Sequence, residues 1–160
     1  SIVQALKKIN LNIVITYPNA DLGHEEIIKI IDINFKNKKK YKIIKNCGAE
    51  LYANLMKHCE VVIGNSSSGI VEAATFNKPT VNIGSRQKGK FMPPNVINSK
   101  NSKNEILKKI NIALSNKFYK KIKNIKNPYE STIGIKALIK LMLNIKVNDK
   151  LIRKKFINKI

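Results

Sequence analysis

A doubly wound, Rossmann-like α/β domain built on a parallel sheet is the fold this sequence predicts. Three observations point to it. Short apolar runs alternate along the chain with stretches of helical periodicity. The helical stretches are about ten residues long, the length needed to cross from one parallel strand to the next. The loops rich in Gly, Ser, Pro and Asn fall after the apolar runs, where the carboxyl ends of parallel strands place a ligand site.

The elements follow in order. Ile2-Val3-Gln4-Ala5-Leu6-Lys7-Lys8-Ile9 has helical spacing, so the chain opens inside an element and a segment upstream of Ser1 is expected. Residues 11–16 form an apolar strand closed by Tyr17-Pro18-Asn19-Ala20-Asp21-Leu22-Gly23. A helix over 24–35 follows, with Ile27, Ile28, Ile30 and Ile31 on its buried side. The lysine cluster 36–40 is a solvated turn before a second strand, 41–45. Residues 49–58 read as a helix carrying Leu51, Tyr52, Leu55 and Met56 at helical spacing. Strand 60–63 leads to a helix over 69–76, and strand 80–83 follows. A short fifth strand is placed at 95–97. Helices are expected over 103–116, with Ile106, Leu107, Ile110 and Leu114 inward, and over 131–145, with Ile135, Leu138, Ile139 and Met142 inward. Residues 1–145 thus make one Rossmann-like domain, and 146–160 a basic tail of helical character.

The run Val61-Val62-Ile63-Gly64-Asn65-Ser66-Ser67-Ser68-Gly69-Ile70-Val71-Glu72-Ala73-Ala74 is the most informative stretch. An apolar strand ends in small polar residues and a helix begins. The first N–H groups of that helix lack partners within it, and the helix dipole adds positive potential. Three serine hydroxyls at this point complete an anion site suited to phosphate. Glu72 lies about one turn in. A carboxylate beside a bound phosphate is sensible where it accepts hydrogen bonds from neutral hydroxyls, and a ribose offers two. The plainer alternative is a serine-capped helix whose first-turn acid offsets the dipole. The convergence of four loops (18–23, 46–48, 64–68 and 84–89) at the carboxyl ends of the strands favours the nucleotide site.

The loop Gly84-Ser85-Arg86-Gln87-Lys88-Gly89-Lys90 adds a second anion contact. Arg86 is one of only two arginines in a chain that otherwise uses lysine. Its planar, two-pronged donor suits phosphate or carboxylate better than a lysine does.

Composition excludes several classes. At 160 residues the chain holds one full core rather than two. No run of eighteen apolar residues spans a membrane, and no signal peptide opens the chain. The net charge of +21 suggests nucleic acid, but 29 Lys, 27 Ile and 21 Asn make up nearly half the chain. These are residues of adenine- and thymine-rich codons. Lysine is spread without aromatic interleaving, so drift explains the charge better than nucleic-acid reading. Cys47, Cys59, His24 and His58 show no metal-ligand spacing, and two lone cysteines suit a reducing cytosol. No metal or cofactor is expected.

The residues Gly64-Asn65-Ser66-Ser67-Ser68-Gly69-Ile70-Val71-Glu72-Ala73, Pro79-Thr80-Val81-Asn82-Ile83-Gly84-Ser85-Arg86-Gln87-Lys88-Gly89 and Asn95-Val96-Ile97 resemble the carboxyl-terminal half of UDP-N-acetylglucosamine 2-epimerases. The likeness is to the hydrolysing branch that serves sialic-acid-type sugars. Tyr17-Pro18-Asn19-Ala20-Asp21 and Asn127-Pro128-Tyr129 are similar to that branch too, and the likeness runs over most of 11–145.

The resemblance implies a two-domain GT-B fold of which this chain is the C-terminal half. It implies that Ser66, Ser67 and Gly69 hold the UDP diphosphate and that Glu72 accepts the ribose hydroxyls. Arg86 would contact UDP in the cleft, Asn19 would line the substrate side, and the base would lie against the loop from Lys45 to Gly48. The family reaction expels UDP and adds water, releasing a 2-epimerised amino sugar such as N-acetylmannosamine. The partners implied are a UDP-N-acetylamino sugar and an N-terminal domain that supplies the catalytic residues, with a homo-oligomer as the full-length form. Neither nucleic acid nor membrane is a partner, and the setting is cytoplasmic. The alternative from the same fold is the donor-binding half of a GT-B glycosyltransferase, against which Arg86-Gln87-Lys88-Gly89 weighs. A basic nucleic-acid-binding protein is a third reading, disfavoured by the scattered lysines.

Overall fold

The computed structural model describes residues 1–130, 134–148 and 151. The chain divides into two compact units, Ser1–Pro128 and Tyr129–Ile160.

In the first unit the order is α1 (Ile2–Leu6), β1 (Ile13–Thr16), α2 (His24–Phe35), β2 (Tyr41–Ile44), α3 (Gly48–His58), β3 (Val62–Gly64), α4 (Ser68–Val71), β4 (Thr80–Ile83), β5 (Val96–Ser99), α5 (Lys103–Ala113) and α6 (Asn116–Ile122). All strand pairs are parallel. They fall into two sheets, β1–β2 with Ile13 opposite Tyr41, and β3–β4–β5 with Val62 opposite Thr80 and Thr80 opposite Val96. The expected mixed α/β architecture with parallel strands and helical crossovers is therefore present, divided between a pair and a triplet of strands.

β4 shows why the fold needs two covering layers. All four of its residues are buried although its sequence alternates polar and apolar. Val81 and Ile83 join Ala5, Leu6, Ile31, Phe35, Ile106 and Ile110 in the main core. Thr80 meets the opposite layer, where Gly69 of α4 lies. The side chain of Asn82 is satisfied by donating to Asn98 Oδ1 at 2.8 Å.

Three helices depart from their expected form. The helix expected over 69–76 stops after one turn, at Val71. The carbonyl of Val71, which would accept from the N–H of Thr75 in a longer helix, instead accepts from the Asn127 amide at 2.7 Å. The N–H of Thr75 turns to Glu72, and Asn77 adopts a left-handed φ of 51° before Pro79. The helix expected over 103–116 ends at Ala113, because Ser115 takes an extended conformation and caps a further helix, α6, by accepting from the N–H of Phe118. In α2, Ile31 and Phe35 face the core while Ile27 and Ile30 are about half exposed, at 48% and 49%, so the buried stripe lies one residue round from the expected one.

The second unit contains α7 (Ile135–Asn144). Ile135, Leu138, Ile139 and Met142, expected inward, are exposed. Among the described residues of this unit no second layer covers the apolar side of this helix. The start of the expected helix at 131–133, and 149–150 and 152–160 of the expected tail, lie outside the described residues.

Candidate nucleotide-binding site

Three loops leave the carboxyl ends of β1, β3 and β4, and two side-chain bonds tie them together. Arg86 Nη2 donates to Asp21 Oδ2 at 2.8 Å, joining the loop after β4 to the loop after β1. The neighbouring Gln87 donates from Nε2 to the carbonyl of Asn65 at 2.8 Å, joining the same loop to the serine segment after β3. Arg86 is 57% exposed and pairs with Asp21 through one terminal nitrogen. Gln87 is buried, and its Oε1 has no partner among the described residues. Its bond to Asn65 is part-buried and so less open to water than the Arg86–Asp21 pair.

The serine segment has its own order. Ser68 Oγ lies 2.5 Å from the Tyr52 hydroxyl on α3 and 3.0 Å from Ser66 Oγ. Ser66 Oγ also accepts from the N–H of Ser68 at 3.4 Å. The N–H groups of Ser66, Ser67 and Gly69 have no acceptor among the described residues, as befits the opening of a helix. Ser66 and Ser67 are exposed and thus open to a ligand.

Gly69 is buried beneath them. A Cβ there would come within 2.9 Å of Thr80 Cγ2 and 3.5 Å of Val62 Cγ1. Glycine at this position lets α4 settle directly on β3 and β4, which sets the height of the serines above the strand ends. Glu72 closes α4 on its last turn, exposed and in no ion pair among the described residues. Its carboxylate is open to neutral hydroxyls.

The loop after β1 is held at both ends. The Tyr17 hydroxyl donates to Asp32 of α2 at 2.6 Å, and this bond with the Asp32 carboxylate raises the Tyr17 pKa above its ordinary value. At the other end the carbonyl of Asp21 accepts from the N–H of His24 at 3.0 Å. Asn19 lies exposed between these anchors. The loop after β2 is shaped by Asn46, whose Oδ1 accepts from the N–H of Gly48 at 3.0 Å.

The structure thus brings Ser66, Ser67 and Arg86 into one loop cluster and carries Asn19 in on the loop that Arg86 tethers. Residues that sequence reasoning left without a role are Asp21, Tyr52, Gln87 and Asn127. Gln87 and Asp21 stand inside motifs that the sequence singles out. Tyr52 reads in sequence as one more apolar-face residue, with no sign that its hydroxyl meets a serine sixteen positions away. Asn127 donates to both Val71 O and Thr75 Oγ1 at 2.7 Å and so fixes the exit of α4.

A shallow cavity of about 530 Å³ opens at the ends of β4 and β5, lined by Gly84, Ser85, Asn98, Ser99, Lys100 and Glu105. It adjoins the Arg86 loop, and none of Ser66, Ser67 or Glu72 lines it. Among the described residues no three His, Cys, Asp or Glu side chains gather to hold a metal ion, and no helix is long and apolar enough to cross a membrane.

The chain is 42% identical over 92 residues to the GDP/UDP-N,N'-diacetylbacillosamine 2-epimerase (hydrolyzing) of Campylobacter jejuni, a match covering 56% of this chain and 24% of that protein. It is 35% identical over 111 residues to polysialic acid biosynthesis protein P7 of Escherichia coli, covering 69% and 28%. It is 38% identical over 97 residues to the UDP-N,N'-diacetylbacillosamine 2-epimerase (hydrolyzing) of Legionella pneumophila, covering 61% and 26%. The chain spans about a quarter of the length of these relatives. The family model described as UDP-N-acetylglucosamine 2-epimerase matches residues 1–142, and the chain belongs to that family.

Proposed function

We propose that this chain forms the UDP-binding, carboxyl-terminal half of a GT-B-type hydrolysing 2-epimerase acting on a UDP-N-acetylamino sugar. The observation that carries the reading is the Gln87–Asn65 bond, which gathers Ser66, Ser67 and Arg86 above one sheet, with the Arg86–Asp21 pair bringing the loop after β1 alongside. Open N–H groups and hydroxyls of the serine segment take the diphosphate. Arg86 adds a cation, and Glu72 takes the ribose hydroxyls. UDP leaves the sugar as an anion, so these donors stabilise charge as it develops on the leaving group. Water then adds, and the 2-epimerised sugar is released. Two of the relatives are named as hydrolysing, which supports that outcome over retention of the nucleotide. Relatives named for UDP-N-acetylglucosamine and for diacetylbacillosamine support N-acetylmannosamine or a close amino sugar as product.

The groups that act on the sugar itself are assigned to another half of the enzyme, so the chain alone binds UDP weakly and does not turn over, and the reaction is cytoplasmic. Calorimetry with UDP tests the reading. Millimolar UDP giving saturable heat supports it. No heat from a chain whose circular dichroism shows an intact fold overturns it.

A further inference from the structure

We infer that Tyr52 is a positioning residue that turns Ser66 into an obligate hydrogen-bond donor, and so makes the serine segment select acceptor-only ligands such as diphosphate. The inference rests on the proposed role of Ser66 as a diphosphate contact.

The geometry is a chain of three hydroxyls. Tyr52 OH stands 2.5 Å from Ser68 Oγ, and Ser68 Oγ stands 3.0 Å from Ser66 Oγ. A phenol is a better donor and a poorer acceptor than an aliphatic hydroxyl, so the proton of Tyr52 points to Ser68. Ser68 then spends its own proton on Ser66. Ser66 Oγ also accepts from the N–H of Ser68 at 3.4 Å. A serine oxygen has two acceptor sites, and both are now taken. What remains is the Ser66 proton, which has no acceptor among the described residues. It faces solvent from an exposed side chain.

A ligand that brings only acceptors completes this chain. Diphosphate oxygens do so; a ligand that offers a hydroxyl or amide proton meets a second donor instead. Without the Tyr52 hydroxyl the chain reverses freely, with Ser66 donating to Ser68, and the outward proton is lost part of the time. Tyr52 sits on α3, outside the serine segment, so its effect passes through Ser68 and not through ligand contact.

The test is amide NMR titration of the full chain with UDP and, separately, with uridine, for wild type, Y52F, S68A and the double variant. Y52F and S68A are each expected to weaken UDP binding about three- to tenfold, the consequence of one mis-set hydrogen bond. The double variant is expected to lose no more than either single one, because both break the same chain. Uridine, which lacks the diphosphate, is expected to bind all four proteins alike. Unchanged UDP affinity in folded Y52F overturns the inference, as do equal losses for UDP and uridine or losses that multiply in the double variant. If Y52F does not fold, S68A decides by the same comparison of UDP with uridine. A wild-type chain that binds no UDP overturns the nucleotide reading together with this inference, whereas binding that Y52F and S68A leave unchanged overturns the inference alone.

Discussion

Arg86 and Asp21 are sixty-five residues apart in the chain and 2.8 Å apart in space. Both are more than half exposed, so their attraction is screened and adds little to stability. Its consequence is local. In the proposed diphosphate site Arg86 already holds an internal carboxylate, with which a phosphate would compete. Asp21→Asn is expected to shift the unfolding midpoint by no more than the equivalent of about 0.5 kcal/mol. The same variant is expected to bind UDP several-fold more tightly at low salt, with the gain fading as salt screens the cation. Weaker binding would show that Asp21 orients Arg86 rather than occupying it.

Glu72 offers a cleaner separation of binding from folding. Its side chain is exposed and enters no ion pair among the described residues, so the fold does not depend on it. Glu72→Ala should weaken UDP by about 1–3 kcal/mol through lost charged hydrogen bonds to the ribose. Affinity for 2′,3′-dideoxy-UDP, which lacks the hydroxyls, should not change. A variant with wild-type affinity for UDP would remove Glu72 from the ribose.

Much of this arrangement is legible in the sequence, because its causes are local. The alternating strand at 80–83, the Gly-Ser segment at 64–69 and the Gly-flanked Arg86 each announce themselves by composition and spacing. The short α4 does not. Its end is set by Asn127, fifty-six residues beyond Val71, and no local pattern reports a carbonyl captured from so far away. The α5–α6 break is faint in the sequence: Ser115 is a favoured cap residue, but Phe118 stands where a capping box would carry Glu or Gln, and the apolar periodicity runs on through Leu114. The split of five strands into a pair and a triplet depends on tertiary spacing, which strand patterns do not encode.

Tyr17 predicts a pH dependence. Its hydrogen bond to Asp32 favours the protonated phenol in the folded state, so the folded pKa lies above the unfolded value of 10.0. The stability this gives is fully present below pH 10.0 and is lost as pH rises through the folded value. Tyr17→Phe removes the bond at every pH. Denaturant midpoints of wild type and variant should therefore differ at neutral pH and converge above pH 10.0 as Tyr17 ionises. A gap that persists unchanged in strong alkali would detach Tyr17 from the effect.

Gly69 gives a prediction about architecture rather than ligand contact. A methyl group at this position would stand 2.9 Å from Thr80 Cγ2, closer than carbon atoms pack. Gly69 and Thr80 are both buried, and neither α4 nor β4 can yield without moving the serine segment. Gly69→Ala should therefore destabilise the chain by about 1–3 kcal/mol, the usual cost of overpacking, and weaken UDP by lifting Ser66 and Ser67 off their positions. Thr80→Ser removes the methyl group that collides and keeps the hydroxyl. Combined with Gly69→Ala it should recover part of both losses, so that the double variant is more stable than Gly69→Ala alone. Thermal unfolding of the four proteins measures this coupling directly. Simple addition of the two destabilisations would show that the glycine serves the backbone of α4 and not its approach to the strand.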